Sequence, residues 1–126
     1  MKEDSWEEIF LRGDLEEAKK IITENYSNID IKTALGWVIK MKSRNYKLYK
    51  QIVLSKMLLM YCPRSPLRHK DMSEILQLAI NKNSTFIAKL LLREGVTVSI
   101  TPDMKISDNM RKLLFSFGYS DQKTKV

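Results

Sequence analysis

Residues 74–98 read EILQLAINKNSTFIAKLLLREGVTV, and this stretch decides the fold. Apolar side chains recur here at helical spacing on both sides of a short polar break. The pattern predicts one helix over Ser73–Asn81 and a second over Thr85–Glu94, ended by Gly95. Ala79 is small where two helices would cross closely, and Leu90-Leu91-Leu92 would fill the space against a neighbour. Gly95 would supply the positive φ that turns the chain back. Two short helices with so short a break form an antiparallel hairpin.

Working outward, the same period continues in both directions, and strict period-two alternation is scarce. Ser5 is placed to cap a first helix through Trp6, Ile9 and Phe10 that stops at Gly13. Asp14 would cap a second, Leu15 to Glu24, with Asn25 at its end as a residue that tolerates the left-handed conformation. Helices follow over Thr33–Lys42 and Tyr46–Met60, separated by Ser43-Arg44-Asn45. A Pro-bounded loop, Cys62 to Asp71, leads to the hairpin quoted above. A start at Thr101-Pro102 precedes a last helix over Asn109–Phe117, ended by Gly118. The expected domain is a single one over 1–120, with 121–126 a polar tail that frays.

The hairpin resembles the ankyrin repeat. Glu74-Ile75-Leu76-Gln77-Leu78-Ala79 takes the place of that family's TPLHLA, and Ile87-Ala88-Lys89-Leu90-Leu91-Leu92 takes the place of its second helix. Thr33-Ala34-Leu35-Gly36-Trp37-Val38 and Gln51-Ile52-Val53-Leu54 repeat the register, with about three extra residues near Lys42–Tyr46. Trp6–Gly13 with Leu15–Ile22 is similar to a capping repeat, and Lys112-Leu113-Leu114-Phe115 to a final second helix, its first helix shortened to Thr101–Asp108. The central positions are Ile21, Val53, Leu91 and Leu114. Gln77 and Gly36 stand where the family has His. The resemblance implies an all-α solenoid of stacked antiparallel helix pairs, about four repeats long. An irregular helical bundle is the rival architecture.

Charge is distributed unevenly. The net charge is +7, yet residues 1–30 carry nine acids and four bases, while 31–70 carry ten Lys or Arg and no acid. Such a segment is either a solvated helix face or a basic binding surface. Chemistry-bearing constellations are sparse. One histidine, His69, and one cysteine, Cys62, make neither a structural zinc set nor an oriented nucleophile pair, and His69 reads as an exposed loop residue. No phosphate-binding glycine motif occurs. Trp6 and Trp37 read as core. The longest apolar run, Met57–Cys62, is too short for a membrane span, and the N-terminus lacks a signal-peptide core, so an intracellular protein without cofactor is expected.

Function is therefore expected to lie in surfaces. The ankyrin resemblance implies a non-enzymatic scaffold or adaptor that binds proteins through hairpin tips and the inner face of the first helices. Carried onto this chain, those positions are Leu11-Arg12, Lys40-Met41 and Asn81-Lys82, with hairpins near Asp30-Ile31-Lys32 and Thr97-Val98-Ser99. Arg12, Lys32, Lys40 and Lys82 would share one concave side, with Lys42 and Arg44 at its rim and Arg68 and Lys70 on the adjoining loop. The expected partner is an acidic segment of another protein. Two alternatives stand beside it. One is nucleic-acid or anionic-surface binding through 31–70, where Trp37, Tyr46 and Tyr49 interleave with cations. The other is a viral or parasite ankyrin protein that intercepts host signalling; the sixteen Lys against six Arg, with much Ile and Asn, point only to an AT-rich genome. Head-to-tail self-association, acidic end to basic segment, is a further expectation.

Overall fold

Ser5 accepts a hydrogen bond from the Glu8 amide at 3.2 Å and starts α1 (Trp6–Leu11). Asp14 does the same for Glu17 at 3.3 Å and starts α2 (Leu15–Asn25). Both are acceptors that satisfy amides a helix leaves unpaired at its start. α3 spans Ile31–Ile39, α4 Lys47–Tyr61, α5 His69–Asn81, α6 Thr85–Arg93 and α7 Asp108–Ser116. These come from a computed structural model that describes residues 5–61, 69–100 and 104–119. Among the described residues the fold is all helical, with no strand. The chain divides into two compact units, Met1–Leu67 and Arg68–Val126.

In the first unit α1 pairs with α2 and α3 with α4, while α1 also packs on α3 and α2 on α4. Each helix of one pair thus meets its counterpart in the next. The buried positions explain the arrangement. α3 buries Ile31, Ala34, Leu35, Val38 and Ile39, and α4 buries Leu54, Ser55, Leu58 and Leu59. Phe10 of α1 is 1% exposed and meets Trp37 of α3 with ring centroids 5.5 Å apart and planes tilted by 51°. In the second unit α5 pairs with α6, and α7 packs on α6. α5 buries Met72, Ile75, Leu76, Ala79 and Ile80, the same spacing as in α3. α6 buries Ile87, Ala88, Leu91 and Leu92, the same spacing as in α4.

Four helices end in one way. Asp14 N donates to Ile9 O and Gly13 N to Phe10 O; Ser84 N donates to Ala79 O and Asn83 N to Ile80 O. Val96 with Gly95 and Tyr119 with Gly118 close α6 and α7 by the same two bonds. This termination needs a left-handed residue, and the φ values are +75° at Gly13, +57° at Asn83 and +88° at Gly95. α3 ends otherwise. Met41 N donates to Val38 O at 3.2 Å, and the buried Gln51 amide adds bonds to Val38 O at 3.0 Å and Ile39 O at 3.4 Å, so a side chain from α4 helps serve the last carbonyls.

Several expectations need correction. The 62–71 loop is shorter than its sequence suggests, because α5 already begins at His69 and carries that residue and Asp71; residues 62–68 lie outside the described part. Asn25 is not left-handed (φ −129°), since the chain runs on into a 3-10 turn at Tyr26–Asn28. Residues 104–107 are not helical, so the shortened first helix at Thr101–Asp108 does not form over that part; 101–103 lie outside the described residues. Instead the segment is held by Met104 Sδ, which accepts from Gln77 Nε2, and by Ser107 Oγ, which donates to Asn83 Oδ1 at 2.6 Å. The buried equivalent of Leu91 in α4 is Leu58, five residues beyond Val53, which is half-buried. α4 is apolar on its opposite side too (Val53, Met57), so composition alone does not show which side turns inward. Leu90 is half-buried, leaving Leu91 and Leu92 as the core of that triplet. Trp6 and Trp37 are half-buried.

Candidate functional site

The connection from α3 to α4, residues 40–46, is where the first unit gathers its cations. Its path is set by packing against the α1–α2 turn. Lys42 N donates to Leu11 O at 2.7 Å, and a Cβ built on Gly13 would stand 2.7 Å from Ser43 Cβ and 3.2 Å from Met41 Sδ. Contact that close requires a residue with no side chain at 13. Ser43 then braces the loop from within. Its hydroxyl donates to Asn45 O and accepts from Lys50 Nζ, both at 3.0 Å. Tyr46 takes φ +55°, a conformation that costs a bulky L-residue energy, and α4 starts directly after it.

The consequence is a surface on which Lys40, Lys42, Arg44 and Lys47 are exposed and Lys50 is half-buried. No carboxylate occurs between residues 31 and 61. Large apolar side chains stand among these cations: Tyr46 is 79% exposed, Leu48 62% and Tyr49 56%. Three such residues fall within four positions, a density unlike the scattered exposed apolar residues of ordinary surfaces.

The residues expected at the site separate in the structure. Lys40, Lys42 and Arg44 come together at this loop, and Arg12 belongs to the turn packed against it. Arg12 is engaged, however: its Nη2 lies 3.3 Å from Asp14 Oδ2. Lys32 is half-buried at the start of α3, about 12 Å from Lys40 along the helix axis, so these two do not share one end of the pair. Met41 is 1% exposed and Ile31 7%, so neither is a surface position. Lys82 is exposed in the second unit, after α5. Lys70 falls within α5, its side chain outside the described part, and Arg68 lies outside the described residues altogether. Sequence reading missed Lys47, Leu48 and Lys50 as site residues. No sequence signal marked Leu48: it stands seven residues before Ser55, on the line of the buried stripe, and periodicity alone reads it as core, although it is 62% exposed.

Among the described residues no three or more His, Cys, Asp or Glu side chains group in a way that would hold a metal ion. No helix among them is long and apolar enough to cross a membrane. Fold and surface together define, over the described residues, an all-helical protein. Comparison with protein-family models, with curated proteins and with solved structures finds no match.

Proposed function

We propose that this chain is a non-enzymatic protein-binding module, an adaptor of ankyrin-like stacked helix pairs that takes an acidic segment of a partner protein. The single observation that carries the reading is the exposed group Lys40, Lys42, Arg44 and Lys47 around a braced loop, in a stretch with no carboxylate. A preformed cationic surface raises the encounter rate with anionic partners and fixes their orientation. The repeated stacking of α1 on α3 and α2 on α4 supports the solenoid part of the proposal.

Titration with a labelled peptide of alternating Asp and Glu tests it. Binding is expected, weakening as salt rises, and Lys42→Glu with Lys47→Glu should abolish it while the thermal melt stays put. Retention of binding by that double variant would refute the assignment. Nucleic-acid binding is the second reading, favoured by the exposure of Tyr46 and Tyr49 beside the same cations.

A further inference from the structure

The charged surface just described has an apolar centre that charge recognition does not use. Tyr46, Leu48 and Tyr49 are exposed to 79%, 62% and 56%, and Lys42, Arg44, Lys47 and Lys50 lie within the same nine residues. The backbone does not simply leave these side chains outside. Tyr46 is held at φ +55° between a loop braced by Ser43 and the first turn of α4. Uncommon backbone geometry on a large exposed side chain persists only where the surroundings impose it. Gly13 and the Lys42–Leu11 bond supply that imposition from the neighbouring pair.

The closest internal reference is the turn between α5 and α6. There three residues, Lys82–Ser84, suffice, and α6 begins at once. When the matching buried stripes of the two pairs are aligned, the α3–α4 pair carries eight more residues from stripe to stripe (Ile39 to Leu54 against Ile80 to Ile87), where the sequence suggested about three. Those residues make the loop longer and extend α4 at its start, and they carry the exposed apolar side chains. Hairpin closure does not need them, as the α5–α6 turn demonstrates.

We infer that Arg44–Lys50 is an anchor site for an acidic peptide bearing a large apolar side chain, which Tyr46, Leu48 and Tyr49 receive while the surrounding cations hold its flanking carboxylates. The inference rests on the acidic-partner reading above and adds the apolar half of the recognition. Charge complementarity requires an anionic occupant, since no acid lies between residues 31 and 61. Leu48 favours a peptide over a single-stranded nucleic acid, because an aliphatic side chain gives a base no ring to stack on. A few exposed aromatic and basic residues of this kind dominate binding energy in peptide interfaces.

The test uses the full chain and three labelled probes: an Asp/Glu peptide with a central Phe-Leu pair, the same peptide with Ser-Ser in that place, and oligothymidylate. The Phe-Leu peptide should bind at least about tenfold tighter than the Ser-Ser peptide. A triple variant, Tyr46→Ser, Leu48→Ser and Tyr49→Ser, should erase that difference and leave Ser-Ser binding unchanged. All three side chains are exposed, so the variant keeps its fold, which its circular dichroism melt verifies. Equal affinity for both peptides, with charge reversal still abolishing each, would overturn the anchor and leave the acidic-partner proposal standing. Failure of the wild type to bind either peptide would overturn both. Oligothymidylate binding tighter than the Phe-Leu peptide, and lost in the triple variant, would overturn the peptide assignment in favour of nucleic acid.

Discussion

The α5–α6 turn and the α3–α4 connection close the same kind of helix pair with different parts. In the first, Asn83 takes the left-handed conformation, two backbone bonds end α5, and Ser84 both finishes one helix and begins the next. The α1–α2 turn is built identically 70 residues earlier, with Gly13 at the position of Asn83 and Asp14 at that of Ser84. The α3–α4 connection abandons this design. Its last carbonyls are served in part from a distance by Gln51, its left-handed residue is displaced to Tyr46, and its loop is long enough to display side chains. A short turn spends its residues on closure, whereas the longer one leaves several over for contact with something else.

The largest expected effect tests whether the two pairs share a core register. Leu58→Ala and Leu91→Ala should each cost about 2–5 kcal/mol, since both side chains are fully buried. Val53→Ala should cost less than about 1.5 kcal/mol, because that side chain is half-buried. Urea midpoints that rank Val53 with Leu91 would break the alignment. Next comes the turn. Gly95→Ala meets no atom within 4 Å and pays only for its backbone, about 1–2 kcal/mol. Gly13→Ala meets Ser43 as well, and should cost about 2–4 kcal/mol in the same melts.

Two smaller effects have the opposite sign. Ser55 is fully buried, and its hydroxyl has no hydrogen-bond partner among the described residues. It stands where α2 and α6 have the fully buried Ala18 and Ala88. Ser55→Ala should therefore stabilise the chain by about 1 kcal/mol, read as a rise in melting temperature. Tyr46→Asn replaces a residue that resists positive φ with one that tolerates it, and should stabilise by about 0.5 kcal/mol. A lower melting temperature for that variant would show that Tyr46 packs to a purpose within the fold.

Element type was legible along most of the chain, because amphipathic period and caps such as Ser5 and Asp14 act within a few residues, but not at 104–107, where contacts to Gln77 and Asn83 replace the expected helix. The hairpin at 74–98 was legible to within a residue at most of its ends, although α5 starts four residues early, at His69. Register in α4 was not, since its apolar residues fall on two sides and only tertiary packing selects Leu54, Leu58 and Leu59. The cations of the loop were legible as a group by charge alone. That Lys32 lies at the other end of α3, that Arg12 pairs with Asp14, and that Met41 turns inward depend on contacts between residues far apart in sequence.

The contact of Gly13 with Ser43 also bears on how this chain can vary. Position 83 shows that the turn accepts Asn where nothing crowds it, yet at 13 any Cβ runs into Ser43 Cβ. The two positions are therefore epistatic: Ser43→Gly removes the 2.7 Å contact and leaves the flexible Met41 thioether, 3.2 Å away, to give way for an Asn at 13. In a double-mutant cycle, Gly13→Asn and Ser43→Gly should together cost less than the sum of their separate effects, by about 0.5–3 kcal/mol. In any lineage of this chain, the change at 43 is expected to come first.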